Sequence, residues 1–176
     1  MSHFDLDDED LLIAVANTAH GEQDEFTDPG SVRTWWRGLG QGAGPSADPV
    51  TVAMLRTLRA VIRARALANN GIDTDVDHTG LAGLALRVDL TGAVRLYAEP
   101  AGDLATGIAA ATVTALLRAS ARPSWSRLKA CRGDDCRWVY LDGSRNNSRR
   151  WCDMAACGNR AKSASFRARH RDASPQ

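Results

Sequence analysis

The four cysteines constrain the fold of this chain more than any other feature. All four lie between residues 131 and 157, and the first 130 residues contain none. They form two pairs of equal spacing, Cys131-x4-Cys136 and Cys152-x4-Cys157, with fifteen residues between the pairs. Clustered cysteines in a reducing compartment favour metal ligation over disulfides. Four thiolates fill the tetrahedral coordination of a structural zinc and leave no position for water. The spacing therefore predicts one structural Zn²⁺ ligated by all four cysteines.

The cysteine cluster has two alternatives to a zinc site. The same four thiolates are able to hold an iron–sulfur cluster, but two regular pairs without a cysteine-rich run favour zinc. Four unligated thiols are a poorer explanation, because a segment of about 50 residues with little apolar content needs a metal in order to fold.

The sequence shows no sign of export or membrane insertion. Its start is acidic, from Asp5 to Asp10, whereas a secretory signal opens with basic residues. The longest apolar stretches, such as Leu104 to Leu117, fall short of the roughly 18 to 20 residues that cross a bilayer. We expect a cytoplasmic protein without a membrane partner.

The net charge of +1 conceals a strong asymmetry along the chain. Residues 1–121 carry 16 acidic and 9 basic residues, whereas residues 122–176 carry 5 acidic and 13 basic residues. The two parts therefore have net charges of −7 and +8. Such a division suggests that the basic part meets a polyanion. Docking of the two parts on each other explains it equally well.

The first 122 residues are predicted to be mainly helical. Apolar residues at helical spacing indicate a helix over residues 7–20. Asp28-Pro29 and Asp48-Pro49 are each typical of an N-cap followed by proline at the first helical position. The first predicts a short helix ending near Gly38, followed by a loop, and the second predicts a helix over 49–69.

Two groups of side chains in these helices admit a structural and a functional interpretation. Arg56, Arg59, Arg63 and Arg65 are predicted to form a solvated face of the helix, with a polyanion surface as the alternative. Trp35 and Trp36 are predicted to be one core and one interface residue, in preference to lining a ligand pocket.

The remaining pattern predicts an α+β fold with two domains. Residues 84–90 and 94–97 alternate like a β-hairpin, and residues 102–121 form an Ala- and Leu-rich helix. The chain then breaks at Arg122-Pro123-Ser124. We place a mainly helical sensor or dimerisation domain with a β-hairpin at 1–122, and a small zinc-bound, treble-clef-like finger at 123–176.

The expected layout of the finger is a hairpin between the two cysteine pairs and a basic helix after the second pair. Trp138 to Leu141 is strand-like, and Asp142-Gly143 is able to make the turn. Trp138 and Trp151 are predicted to form a miniature core, because so small a module needs large apolar groups. Asp142 is a candidate ion-pair partner for Arg145.

One long string of the finger resembles a known family. The residues Trp151-Cys152-Asp153-Met154-Ala155-Ala156-Cys157-Gly158-Asn159-Arg160-Ala161-Lys162, with Ser144-Arg145-Asn146 before them, resemble the CGNR zinc finger of bacterial proteins. The resemblance covers residues 126–170. It implies that the four cysteines are zinc ligands and that the chain has a DNA-binding, regulatory role.

The N-terminal part resembles the helical domain that usually precedes this finger, a predicted stress-induced transcription regulator domain of the ABATE type. The similarity lies in Leu11 to Asn17, in Asp28-Pro29 leading to Trp35-Trp36, and in Gly38-Leu39. Ala16-Asn17-Thr18 departs slightly from the family's apolar-Asn-Thr run.

These observations predict a zinc-dependent, DNA-binding transcriptional regulator. Its N-terminal domain is expected to sense a small-molecule effector or to form a homodimer. Asn159 is predicted to brace the zinc loop through backbone hydrogen bonds, with contact to an adenine edge as the alternative. The expected phosphate contacts come from the loop between the pairs and from the final helix, namely Arg145, Arg149, Arg150, Arg160, Lys162, Arg167, Arg169 and Arg171.

Two other functional classes compete with this hypothesis. A zinc-stabilised protein-interaction module without DNA binding would use the same basic helix against an acidic partner, since a fold does not fix a function. Catalysis is the weakest option, and we expect no enzyme. The glycine run from Gly38 to Gly44 lacks the Gly-Lys-Ser/Thr of a phosphate loop, and the four histidines lack HExxH spacing. His20 with its acidic neighbours is predicted to be a solvated helix end.

Overall fold

A computed structural model describes residues 6–42, 44–92, 95–98 and 102–172 of the 176-residue chain, with the backbone alone at residues 95, 98, 171 and 172. The helices are α1 (Asp8–Ala16), α2 (Pro29–Gly38), α3 (Pro49–Ala68), α4 (Leu104–Ser120) and α5 (Asn159–Asp172). The strands form antiparallel pairs, β1 (Ala19–His20) with β2 (Gln23–Asp24), β3 (Leu86–Asp89) with β4 (Arg95–Ala98), and β5 (Leu128–Ala130) with β6 (Val139–Leu141). The predicted α+β class is confirmed.

Aspartate side chains cap the starts of the first four helices. Asp28 accepts hydrogen bonds from the backbone N–H groups of Gly30 and Ser31, and Asp48 accepts one from Val50, as the two Asp-Pro signals predict. Asp103 caps α4, and its second carboxylate oxygen also accepts from the N–H of Asp48 at 2.6 Å. The starts of α3 and α4 are therefore linked to each other.

Helix α1 is shorter than its apolar pattern predicts. It ends at Ala16, and residues 19–20 form strand β1 instead of a further helical turn. The chain reverses at Gly21, whose φ of 59° favours glycine, and pairs with β2. The predicted helix was too long because Ala19, which fits the apolar spacing, belongs to this hairpin.

The core is formed where α1, α3 and α4 pack together. Its largest fully buried side chains include Leu12, Leu55, Ile62 and Ile108. Trp36 is fully buried, so the predicted core residue of this pair is confirmed. Trp35 is half-buried at the edge of the same core, with its ring edge-to-face against Phe26 at 5.0 Å, and its interface role stays a prediction.

The same core includes residues from beyond position 122. Leu128, Ala130 and Val139 are buried in one cluster with α1, α3 and α4. The β5–β6 hairpin therefore packs on the helical part. The division of the chain at residues 122 and 123 stays a prediction.

Three of the four arginines on α3 bind the segment between α1 and α2. Arg56 donates from Nε to the Phe26 carbonyl at 2.6 Å, and Arg63 donates from Nε to the Ala16 carbonyl at 2.8 Å. Arg59 forms a two-pronged ion pair with Asp24, at 2.6 and 2.9 Å. The predicted solvated face is therefore wrong for Arg59 and Arg63, which are partly buried, because irregular backbone crosses α3 there and its carbonyls need donors. Arg56 is exposed, as predicted, although it donates these hydrogen bonds. Arg65 is exposed.

Among the residues that the structure describes, no helix has the length and apolar character needed to cross a membrane.

Candidate metal centre

The first cysteine pair lies in the turn of the β5–β6 hairpin. Leu128, Lys129 and Ala130 pair with Leu141, Tyr140 and Val139, which places Cys131 to Cys136 in the connecting turn. The Cys131 N–H donates to the Trp138 carbonyl at 2.8 Å, and the Cys136 N–H donates to the Gly133 carbonyl at 3.1 Å. These bonds fold the turn back so that both sulfurs face the same point.

The pairing of this hairpin corrects one prediction. Residues 139–141 were expected to pair across a turn at Asp142-Gly143, between the two cysteine pairs, whereas they pair with β5, which precedes both pairs. Burial explains the choice, because pairing with β5 places Leu128, Ala130 and Val139 together in the core.

The second cysteine pair lies in a tight turn that continues into α5. Asp153 caps this turn, accepting from the N–H of Ala156 at 2.7 Å, and Met154–Gly158 forms a single π-type turn. A Cβ at Gly158 would clash with the Met154 side chain unless that side chain moved. Helix α5 starts at Asn159, as predicted for the helix after the second pair.

The four sulfurs converge at one point. The Sγ atoms of Cys131, Cys136, Cys152 and Cys157 all lie within 4.8 Å of one another. Cys136 Sγ is 3.5 Å from Cys152 Sγ, which in turn is 3.7 Å from Cys157 Sγ. A zinc tetrathiolate with bonds of about 2.3 Å has edges of about 3.8 Å. The four cysteines therefore form a zinc-binding site, as the sequence predicts.

Burial makes the site closed and structural. Cys131, Cys136 and Cys157 are buried, and Cys152 is half-buried. Burial raises the pKa of the Cys136 and Cys152 thiols, so these thiols need a cation before they ionise. Four thiolates complete a tetrahedral shell, and the metal would hold the two turns together without an open position for substrate.

Arg160 reaches back from α5 to one of the four sulfurs. Its Nη2 lies 3.1 Å from Cys157 Sγ. Burial opposes ionisation of Cys157, but the hydrogen bond from Arg160 and those from the other three cysteines together outweigh it and lower the pKa of this thiol. Zinc with four thiolates carries a net charge of −2, so a guanidinium beside it offsets part of that charge.

Arg149 braces the backbone on the other side of the site. Its guanidinium donates to the carbonyls of Trp151 and Cys152, the first from Nε at 2.8 Å, and lies over the Tyr140 ring at 4.7 Å. The predicted bracing by Asn159 is wrong within the described residues, where its exposed side chain forms no hydrogen bond. Arg149, Asp153 and Arg160 brace the loops instead.

The loop between the pairs wraps around a buried ion pair. Lys129 Nζ donates to Asp142 at 2.7 Å and to the Asn147 carbonyl at 2.6 Å. Asp142 also accepts from the N–H groups of Ser144 and Arg149. The predicted pairing of Asp142 with Arg145 is therefore wrong. Arg145 lies exposed on this loop, as does Arg150.

Both outer edges of the β5–β6 hairpin are bound by asparagine side chains from the helical part. Asn17 exchanges two hydrogen bonds with the backbone of Val139, at 2.8 and 2.9 Å. Asn69 donates to Trp125 and Leu128 carbonyls, and Asn70 donates to Ala130 and Arg150 carbonyls. The sequence reasoning missed this role, and its one local signal was the placement of these asparagines at helix ends.

The two tryptophans of the finger have different surroundings. Trp151 packs against the cysteine cluster, as predicted for the miniature core. Trp138 is 38% exposed, and its ring meets His20 of β1 edge-to-face at 5.5 Å. Its predicted place in that core is therefore wrong, and His20, predicted to be a solvated helix end, lies on a strand at this contact.

The predicted nucleic-acid contacts fall into two groups. Arg149 and Arg160 are engaged with the zinc loops, as described above. Arg145, Arg150, Lys162, Arg167 and Arg169 are exposed, and every residue of α5 from 162 to 170 is exposed. The side chain of Arg171 lies outside the described residues.

Comparison with known proteins agrees with the site. Residues 127–170, a quarter of the chain, match the CGNR zinc finger. No curated protein matches the chain at a significant level. The resemblance of the N-terminal part to an ABATE-type domain stays a prediction.

Proposed function

We propose that the protein is a zinc-dependent DNA-binding transcriptional regulator. The observation that carries the proposal is the basic helix α5, which starts two residues after the ligand Cys157 and is exposed at every residue from 162 to 170. A helix that buries no apolar face contributes little to the protein's own core, so its exposure and charge point to an external partner.

The charge and shape of this region fit duplex DNA. Lys162, Arg167 and Arg169 are exposed cations on α5 without a contact to the zinc loops, and the loop adds Arg145 and Arg150. The major groove is about 12 Å wide and admits an α-helix. Zinc fixes the direction of α5 by holding Cys157 against the other three ligands, so metal binding and presentation of these cations are coupled.

A cleft beside the zinc centre supports the effector-sensing part of the proposal. It lies between the β1–β2 hairpin and the zinc loops and has a volume of about 660 Å³. Cys136, Cys152 and Cys157 also line it, so part of that volume belongs to the metal site itself. His20, Gln23 and Glu25 line one side, and Trp138, Asp153 and Arg160 line the other. An effector bound there would contact both the helical part and the finger. A homodimer remains the alternative role of residues 1–122.

Binding of the zinc-loaded chain to a random-sequence duplex, followed by fluorescence anisotropy, tests the proposal. We expect affinity to fall steeply between 50 and 200 mM salt, because phosphate contacts release counterions. Replacing Arg167 and Arg169 with alanine should weaken binding and reduce the slope of log K against log salt by about 1.8, or 0.9 for each lost phosphate contact.

The matched control is the double variant Arg37→Ala/Arg65→Ala, which removes the same charge from exposed positions on α2 and α3. It should bind like the wild type. Equal losses in both double variants would show a general charge effect, and a wild-type chain that does not bind duplex DNA would reject the proposal.

The second candidate is a protein-interaction module, favoured by one observation, the exposed aromatic ring of Phe166 on α5. An acidic protein partner would use the same cations. A competition experiment separates the two functions. Random duplex DNA should displace an acidic protein partner only if both bind α5 and the DNA binds with comparable affinity.

A further inference from the structure

Helix α5 carries one continuous stripe of residues able to recognise bases. Asn159, Ser163, Phe166 and His170 follow one another at intervals of four, three and four residues, which places them on one line along the helix. Two of them are in contact, since the Phe166 and His170 rings lie with their centroids 3.9 Å apart at an interplanar angle of 32°. All four residues are exposed.

Cations flank this stripe on both sides. At about 100° per residue, Arg160 and Arg167 lie roughly 70 to 90° to one side, and Lys162 and Arg169 lie equally far to the other. Each pair is seven residues apart, or about two turns. The opposite face has only small residues, namely Ala161, Ala164, Ser165 and Ala168.

We propose that α5 lies in the major groove of duplex DNA, with Asn159, Ser163 and Phe166 of this stripe facing the base edges. The inference rests on the proposed function and adds the residues that select the sequence. Arg167 on one side, and Lys162 and Arg169 on the other, would then face the phosphates on the two walls of the groove, whereas Arg160 stays with Cys157. Flanking charge on both sides fits a groove better than a flat acidic protein surface, which needs cations on one side only.

The chemistry of the stripe specifies which bases it reads. An asparagine amide pairs with two atoms of adenine in the major groove, and an apolar ring contacts the methyl group of thymine. Asn159 and Phe166 are seven residues apart, about 10.5 Å along the axis, which spans about three base-pair steps of 3.4 Å. The preferred site therefore contains an adenine and a thymine about three base pairs apart.

The zinc centre places this stripe. Asn159 follows Gly158 directly, and Arg160 is held by its hydrogen bond to Cys157. The first residues of α5 therefore have a fixed position relative to the metal, whereas its far end is held only through the helix itself. Reading by N-terminal residues is the usual arrangement for a recognition helix.

The first test is selection of bound sequences from a random duplex library with the zinc-loaded full chain. The wild type should enrich a site with the adenine and thymine spaced as above. Asn159→Ala should lower the ratio of affinities for the selected site and for the same site with that A·T pair replaced by G·C, by roughly five- to 100-fold. Ser165→Ala, on the opposite face, should leave this ratio unchanged.

The second test concerns the thymine methyl group. Replacing the selected thymine with deoxyuridine removes only that methyl group, and it should weaken binding of the wild type but not of Phe166→Ala. Equal losses for both proteins would contradict the contact.

The outcomes distinguish the two proposals. Binding of duplex DNA without any enriched sequence, or an unchanged ratio for Asn159→Ala, would overturn this inference and leave the proposed function intact. Preference for RNA or a single strand over the duplex would also overturn it. Failure to bind any nucleic acid would reject both proposals.

Discussion

Lys129 and Asp142 form an ion pair of 2.7 Å in which both side chains are almost completely buried. Lys129 is the central residue of β5, and Asp142 directly follows β6. Their remaining hydrogen bonds go to the backbone of residues 144–149. One buried pair therefore shapes the loop that carries Arg145, Arg149 and Arg150.

Removing one partner of this pair should be costly. We expect Lys129→Met to lower the free energy of unfolding by about 3 to 5 kcal/mol, because it leaves the Asp142 carboxylate buried without its counter-charge. The double variant Lys129→Met/Asp142→Leu should recover much of that loss. Urea unfolding at neutral pH measures both, and a single variant as stable as the wild type would contradict the buried-pair interpretation.

The same carboxylate should make stability depend on acid. Burial alone would raise the pKa of Asp142, but hydrogen bonds from Lys129 and from the loop outweigh it and lower the pKa below its ordinary value of 3.8. Because the folded pKa is depressed, the contribution of Asp142 is complete above the unfolded pKa and is lost as the pH falls from about 4 toward the folded value.

Thermal unfolding of Asp142→Asn between pH 6 and pH 3 tests this dependence. The variant should be less stable than the wild type at pH 6, and the difference should shrink as the pH falls toward 3. A difference independent of pH would mean that the carboxylate charge is not what stabilises the loop.

Asn17 should be important for attaching the finger to the helical part. Its amide replaces a strand neighbour by exchanging two hydrogen bonds with the Val139 backbone. Asn17→Ala leaves those half-buried groups without partners, and we expect a loss of about 1 to 3 kcal/mol in unfolding free energy. Asn17→Asp keeps the acceptor but places a carboxylate oxygen against the Val139 carbonyl, so it should not recover that loss. Calorimetric unfolding of all three proteins gives the comparison.

Arg160 should slow the release of zinc. It donates to Cys157 Sγ, so Arg160→Ala removes a charge that offsets the tetrathiolate. We expect zinc transfer to a chromogenic chelator to become several-fold faster, with partial rescue by Arg160→Lys. Arg167 lies on the same helix but has no contact with the cysteines, so Arg167→Ala should release zinc at the wild-type rate. Equal acceleration in both alanine variants would assign the effect to the helix charge.

Loss of the metal should affect one part of the chain. We expect chelation, or Cys152→Ser, to remove hydrogen-exchange protection from the turns at 131–137 and 151–158 and from α5, while helices α1 to α4 stay folded. The helical core has its own buried cluster, whereas the cysteine loops depend on zinc for convergence. Hydrogen exchange by segment measures this difference. Unchanged protection over 131–158 after chelation would show that the metal does not organise the finger.

Local features were predicted well because their energies come from neighbours in the chain. Asp28-Pro29 and Asp48-Pro49 start helices because the cap, the missing proline N–H and the first turn lie within a few residues. The zinc ligands were equally accessible, since the residue type and short spacing of each cysteine pair are local properties.

Long-range partners were not predictable in the same way. The sequence predicts Arg59 to be an exposed cation on a helix, whereas in the structure strand β2 places Asp24 beside it. The sequence predicts Asp142 to be a turn residue, whereas in the structure it forms an ion pair with Lys129 of β5. Each partner is a dozen or more residues away along the chain, and no periodic pattern in the sequence indicates that the two residues are in contact.

The sequence by itself determined that four thiolates would hold one metal and that a basic helix would follow it, because spacing and composition decide both. Only the tertiary structure decided which strand pairs with Val139–Leu141, which charge neutralises Asp142 and which asparagines cover the hairpin edges. The physical reason is burial, since a buried polar group must find a partner and the packing of distant segments decides which partner is within reach.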